Sequence, residues 1–130
     1  MFHMQEALKH SVRKMILIVE DDEAIGTFLV QVLSQEAPYD VQLATSAHEA
    51  LRIVREVTPD VFLLDYFLPS MSGLMLYDQL HAMKRLEAVP AIMMSAVLPP
   101  EQELKKRRII GIHKPFDIDE LLQTTEQVIA

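Results

Sequence analysis

Cysteine is absent from this 130-residue chain, which excludes disulfides and thiolate metal sites. Glycine is scarce. Gly26, Gly73 and Gly111 are the only three, and they form no G-x-G-x-x-G pattern, so a dinucleotide-binding domain is disfavoured. A basic excess is missing too. The net charge of -7 argues against nonspecific binding to nucleic acid or an anionic membrane. The one basic run, Lys105-Lys106-Arg107-Arg108, reads as a solvated face. No apolar stretch approaches the ~18 residues of a membrane span, and Met1 to Lys14 has no hydrophobic core such as a secretory signal carries. The expectation is a cytoplasmic protein with no membrane partner and no direct nucleic-acid binding.

What the chain does have is apolar material: 50% of its residues are hydrophobic. At this length that suits one domain, burying roughly two-thirds of the extended chain's surface. Residues 1–14 precede the first strand signal and read as an N-terminal extension, expected to be poorly ordered. The domain proper is assigned to residues 15–130.

Four apolar runs each end in a polar or charged residue. Met15 to Val19 ends in Glu20-Asp21-Asp22, Val61 to Leu64 in Asp65, Ala91 to Met94 in Ser95, and Ile109 to His113 in Lys114. Val41 to Thr45 adds a short further strand. Between them run helical patterns. Ile25, Phe28, Leu29, Val32 and Leu33 follow i, i+3, i+4, i+7, i+8 spacing and predict an amphipathic helix buried on that face. Ser46 and Glu49 form a capping box ahead of Leu51, Ile53 and Val54. Leu76, Tyr77, Leu80 and Met83 predict a third helix. Pro99-Pro100 opens a short fourth one, and Ile118, Leu121, Leu122, Thr125 and Val128 share a face of the last. Strand and helix alternate five times, which predicts a parallel sheet covered on both sides. Open sheets of this kind bind ligands at the carboxyl ends of their strands, where the acids, the hydroxyl and the amine would converge.

Each of these residues has a plainer reading when taken alone. The acidic triplet suits the positive end of a helix dipole, Lys114 a solvated charge, Ser95 a satisfied strand-end hydroxyl, and Asp65 a loop cap. Met71, Met75, Met83, Met93 and Met94 read as core filler, and His3, His10, His48, His81 and His113 show no ligand spacing. The ordered set is specific where its members are not. Glu20-Asp21, Asp65, Ser95 and Lys114-Pro115-Phe116, with the loop Asp65-x-x-Leu68-Pro69-x-Met71-x-Gly73, resemble the defining residues of two-component response regulator receiver domains. The resemblance runs from Met15 to Ala130.

It implies a flavodoxin-like α/β fold, (βα)5, with a five-stranded parallel sheet of order 2-1-3-4-5. It also implies a phosphorylation-dependent signalling switch rather than an enzyme acting on a separate substrate. By resemblance, Asp65 accepts the phosphoryl group. Glu20, Asp21, Asp65 and the backbone carbonyl of Phe67 hold Mg2+, and Ser95 and Lys114 contact phosphoryl oxygens. The implied partners are a histidine kinase or histidine phosphotransfer protein, and a downstream target or an output domain outside this sequence. Asp22 lies one place past the acidic pair and reads as a helix N-cap or a supporting charge. Two departures stand out. Gly111 occupies the place of a strand-five aromatic found in many receivers, and the 19 positions from Ser95 to Lys114 predict a shortened fourth helix. Two other readings stay open: a pseudo-receiver used for protein docking, and a haloacid-dehalogenase-type phosphatase. The latter needs a second acid where this chain has Phe67.

Overall fold

Residues 13–36 and 38–129 are described by the computed structural model of the protein. The extension proposed for residues 1–14 lies outside the described residues except for Arg13 and Lys14. Lys14 already belongs to the first strand, one residue earlier than the apolar run suggested.

Five strands and five α-helices alternate: β1 (Lys14–Val19), α1 (Glu23–Ser34), β2 (Tyr39–Ala44), α2 (Ala47–Ile53), β3 (Val61–Asp65), α3 (Gly73–His81), β4 (Ala91–Ser95), α4 (Glu101–Lys106), β5 (Ile110–His113) and α5 (Ile118–Ile129). A short 3-10 turn, Lys84–Leu86, follows α3. All strand pairings are parallel and the order is β2-β1-β3-β4-β5. Every residue of β3 and β4 is buried, as expected of strands with helices on both faces. The edge strands β2 and β5 are partly exposed. Leu17, Val19, Phe62, Leu64 and Met93 pack towards α2, α3 and α4. Ile16, Ile18, Leu63, Ile92 and Met94 pack towards α1 and α5. Each such fully buried side chain contributes about 1.5–3 kcal/mol relative to exposure.

Local signals act where the sequence placed them. Ser46 Oγ accepts from Glu49 N at 3.0 Å, while Glu49 Oε1 accepts from Thr45 N at 2.9 Å. The reciprocal arm of this capping box therefore reaches one residue further back than the usual pattern. Asp22 caps α1, accepting from Ile25 N at 2.9 Å, and Ser72 caps α3. The short α4 has six residues and starts after Pro100.

Three sequence expectations are corrected. Helix α1 buries Gly26, Leu29 and Leu33, so Ile25 and Phe28 are left 37% and 46% exposed. Gly26-Leu29-Val30-Leu33 is an equally good helical stripe, and the tight approach of Gly26 to Leu43 selects it. Met75 faces solvent on the side of α3 turned away from Leu76 and Leu80. The basic run is not simply a solvated face. Lys105 and Lys106 are exposed, but the Arg107 guanidinium makes a two-pronged contact with Asp78 of α3, at 2.8 and 3.0 Å, and a third with Glu103. Asp78 is held below the usual carboxylate range chiefly by that hydrogen bond.

Candidate functional site

Register brings the strand ends into one layer. Val19 pairs with Leu64, Asp65 with Met94 and Ser95 with His113. Glu20, Asp65, Ser95 and Lys114 therefore emerge side by side, and Lys114 N donates to Ser95 O at 2.9 Å. The Lys114–Pro115 peptide is cis.

Glu20 is 1% exposed and Asp65 is also buried, whereas Asp21 lies at the surface. One carboxylate oxygen from each of the three lies within 4.8 Å of the other two. Lys114 Nζ donates to Glu20 Oε1 at 2.8 Å and to Asp65 Oδ2 at 3.4 Å. The other oxygens of this pair are held by backbone: Phe67 N donates to Asp65 Oδ1 at 3.1 Å, and Asp22 N to Glu20 Oε2 at 3.1 Å. Burial raises the Glu20 carboxyl, against the opposing pull of Lys114. Burial would lower the Lys114 ammonium, but the hydrogen bond and charge of Glu20, with Asp65, more than reverse it and hold it up.

Three carboxylates face one ammonium here, so the site carries two uncompensated negative charges when all are ionised. One divalent cation balances them, and oxygen-only donors suit a hard ion such as magnesium. The residues present fit such an ion.

The site holds a buried hydroxyl as well. Ser95 Oγ is engaged by its own loop, donating to Val97 O at 2.8 Å and accepting from Val97 N at 3.2 Å. Phe67 and Val97 stand exposed at 60% and 65%.

The sequence assigned Ile25 and Phe28 to the core. They instead line, with Ala96, Lys114, Pro115 and Phe116, an apolar cavity of about 380 Å³ on the flank of the site. The competing stripe through Gly26 was the signal available for this. His81 makes structural contacts. Its ring nitrogens contact the carbonyls of Tyr77 and Val89, and its ring stacks on Tyr77 at 3.7 Å, tying α3 to the loop that precedes β4.

Residues 16–126 match the family described as the response regulator receiver domain. The transcriptional regulatory protein ZraR of Salmonella typhimurium is 35% identical over 118 residues, which is 88% of this chain and 26% of that protein. The chain thus spans about a quarter of the length of the first curated relatives it matches. Among solved structures, the Vibrio cholerae chemotaxis protein CheY4 superposes with a TM-score of 0.82 at 28% identity, covering 90% of this chain and 99% of that one. The Thermotoga maritima response regulator TrrA, solved in complex with Mg(2+)-BeF, gives a TM-score of 0.77 at 25% identity, covering 88% and 98%.

Proposed function

The chain belongs to the response regulator receiver family, and on that premise we propose that it is a phosphorylation-dependent switch whose acceptor is Asp65. The phosphoryl group comes from a histidine kinase or a histidine phosphotransfer protein in the cytoplasm. The observation that carries this reading is the placing of Asp65: buried, gripped by Lys114 Nζ and Phe67 N, and within 4.8 Å of Glu20 and Asp21 oxygens. The receiver unit is residues 15–130 and residues 1–14 are an extension. The family match starting at residue 16 supports this boundary, although Lys14 itself already belongs to β1.

Glu20, Asp21, Asp65 and the Phe67 carbonyl would hold Mg2+, which when bound supplies positive charge against the phosphoryl oxygens. An Asp65 carboxylate oxygen forms the new bond to phosphorus as the phosphorus–nitrogen bond to the donor imidazole breaks, leaving the electron pair on that nitrogen. Lys114 pairs with one phosphoryl oxygen and the Ser95 hydroxyl donates to another. The chemistry is positioning and charge neutralisation. Incubation with acetyl phosphate and magnesium, followed by mass spectrometry, should show one added phosphoryl group that Asp65→Asn abolishes. Labelling that persists in Asp65→Asn would refute the assignment, and no labelling of the wild type would favour a docking-only pseudo-receiver.

The apolar flank at Ile25, Phe28 and Pro115 adjoins Lys114, so a protein that brings a histidine to Asp65 would cover it. Its exposed aromatic is the contact with most apolar area to bury. Phe28→Ser should therefore slow transfer from a protein donor at least several-fold while leaving acetyl phosphate labelling unchanged. Equal slowing with both donors would place the defect in the site instead.

A further inference from the structure

The loop after β4 joins the site to α4 through two leucines and a glycine. Ser95 is buried, and its hydroxyl is spent on both the N–H and the carbonyl of Val97. One residue further, Leu98 lies over Gly111 of β5. A Cβ at position 111 would fall 3.0 Å from Leu98 Cδ1 and 3.0 Å from Leu104 Cδ1. The space that a side chain on β5 would take is therefore filled from the loop and from α4. Beside it, Leu98, Pro99, Leu104 and Ile109 line a cavity of about 430 Å³.

The two ends of α4 are held differently. Its C-terminal end is anchored to α3 through Arg107, which bonds Asp78 and Glu103, while Tyr77 Oη donates to Arg107 O. Pro100, at its N-terminal end, makes no side-chain capping bond. The chain leading into that end is tied back at Val97, three residues before Pro100, by the Ser95 hydroxyl.

A hydroxyl has one proton, and a phosphoryl oxygen can only accept. If Ser95 donates to a phosphoryl group on Asp65, it must stop donating to Val97 O. We infer that Leu98 is the moving part of this switch: release of Val97 lets Leu98 shift off Gly111 towards the adjoining cavity, and the N-terminal half of α4 follows, pivoting on Arg107. This rests on the phosphoacceptor reading above. The lever works because position 111 has no side chain.

The experiment is an amide and leucine-methyl chemical-shift map of the full chain with magnesium, with and without beryllofluoride. In wild type, shifts are expected at residues 65–67 and 114, at the Leu98 and Leu104 methyls, and along 99–104. Leu98→Ala should keep the changes at 65–67 and 114 but lose more than half of those at 101–104, and Leu98→Met should restore them. Gly111→Ala places a methyl group where Leu98 sits. Without beryllofluoride, it should move 99–104 towards the wild-type bound positions. A full response at 101–104 in Leu98→Ala, or a Gly111→Ala spectrum unchanged along 99–104, overturns the lever while leaving the acceptor reading intact. No response at 65–67 and 114 in wild type overturns the acceptor reading, and the lever with it.

Discussion

Lys114 divides its amine between Glu20 at 2.8 Å and Asp65 at 3.4 Å. Before any phosphoryl group arrives, its work is to keep two buried acids compatible. Lys114→Ala should therefore cost about 1.5–3 kcal/mol, the range for a hydrogen bond to a charged group, as measured by urea unfolding at pH 8 without magnesium. The pH dependence follows from the raised folded-state value of Lys114. Its contribution is fully present below the ordinary lysine value of 10.5 and is lost as pH rises through the higher folded value. The stability gap between wild type and Lys114→Ala should accordingly narrow above that point. A gap unchanged well into the alkaline range would mean that packing of the lysine stem, not its charge, is what was lost.

Between elements, the tightest constraint is Gly73. It opens α3, and its N–H donates to Tyr66 O at 2.8 Å. A Cβ there would fall 2.6 Å from the Asp65 carbonyl oxygen, a backbone atom that cannot swing aside. The lack of a side chain at residue 73 thus lets α3 sit against the end of β3 and fixes where Asp65 stands. Gly73→Ala should destabilise by about 1–3 kcal/mol through overpacking, and should weaken magnesium binding because the strained atom belongs to the acceptor residue. Calorimetric titration with magnesium checks the second part. Normal affinity in a destabilised variant would confine the effect to packing. Arg107 constrains differently, by binding the turn after α4 to α3 with a guanidinium fork that lysine cannot imitate.

For the molecule as a whole, the site is a concentration of negative charge held in place by a sheet buried on both faces. Three carboxylates within 4.8 Å repel one another, so an ion bound only by the folded state stabilises the entire domain. At ten times its Kd, magnesium should add about 1.4 kcal/mol and raise Tm by about 4–6 °C. Asp21→Ala removes an exposed carboxylate with no packing role and should abolish most of that rise. A scanning calorimetry trace in which Asp21→Ala responds to magnesium as wild type does would remove Asp21 from the ligand set.

The alternation of apolar runs with helical stripes, and the polar residue closing each run, were sufficient to read the parallel sheet and the residues gathered at its carboxyl end. Those are local properties: a buried strand and a capped helix are written in consecutive residues, and the chemistry of Glu20, Asp21, Asp65, Ser95 and Lys114 lies in residue type. That α4 is short was legible too, because 19 positions must hold a loop, a helix and a strand. Which stripe of α1 turns inward was not. Two stripes of equal spacing competed, and the close approach of Gly26 to Leu43 chose between them, leaving Ile25 and Phe28 outside. Nor could the sequence assign Arg107 to Asp78, 29 residues away, or seat Leu98 and Leu104 over Gly111. Such pairings depend on how separate elements come to rest against each other. Only the packed sheet and helices set those distances.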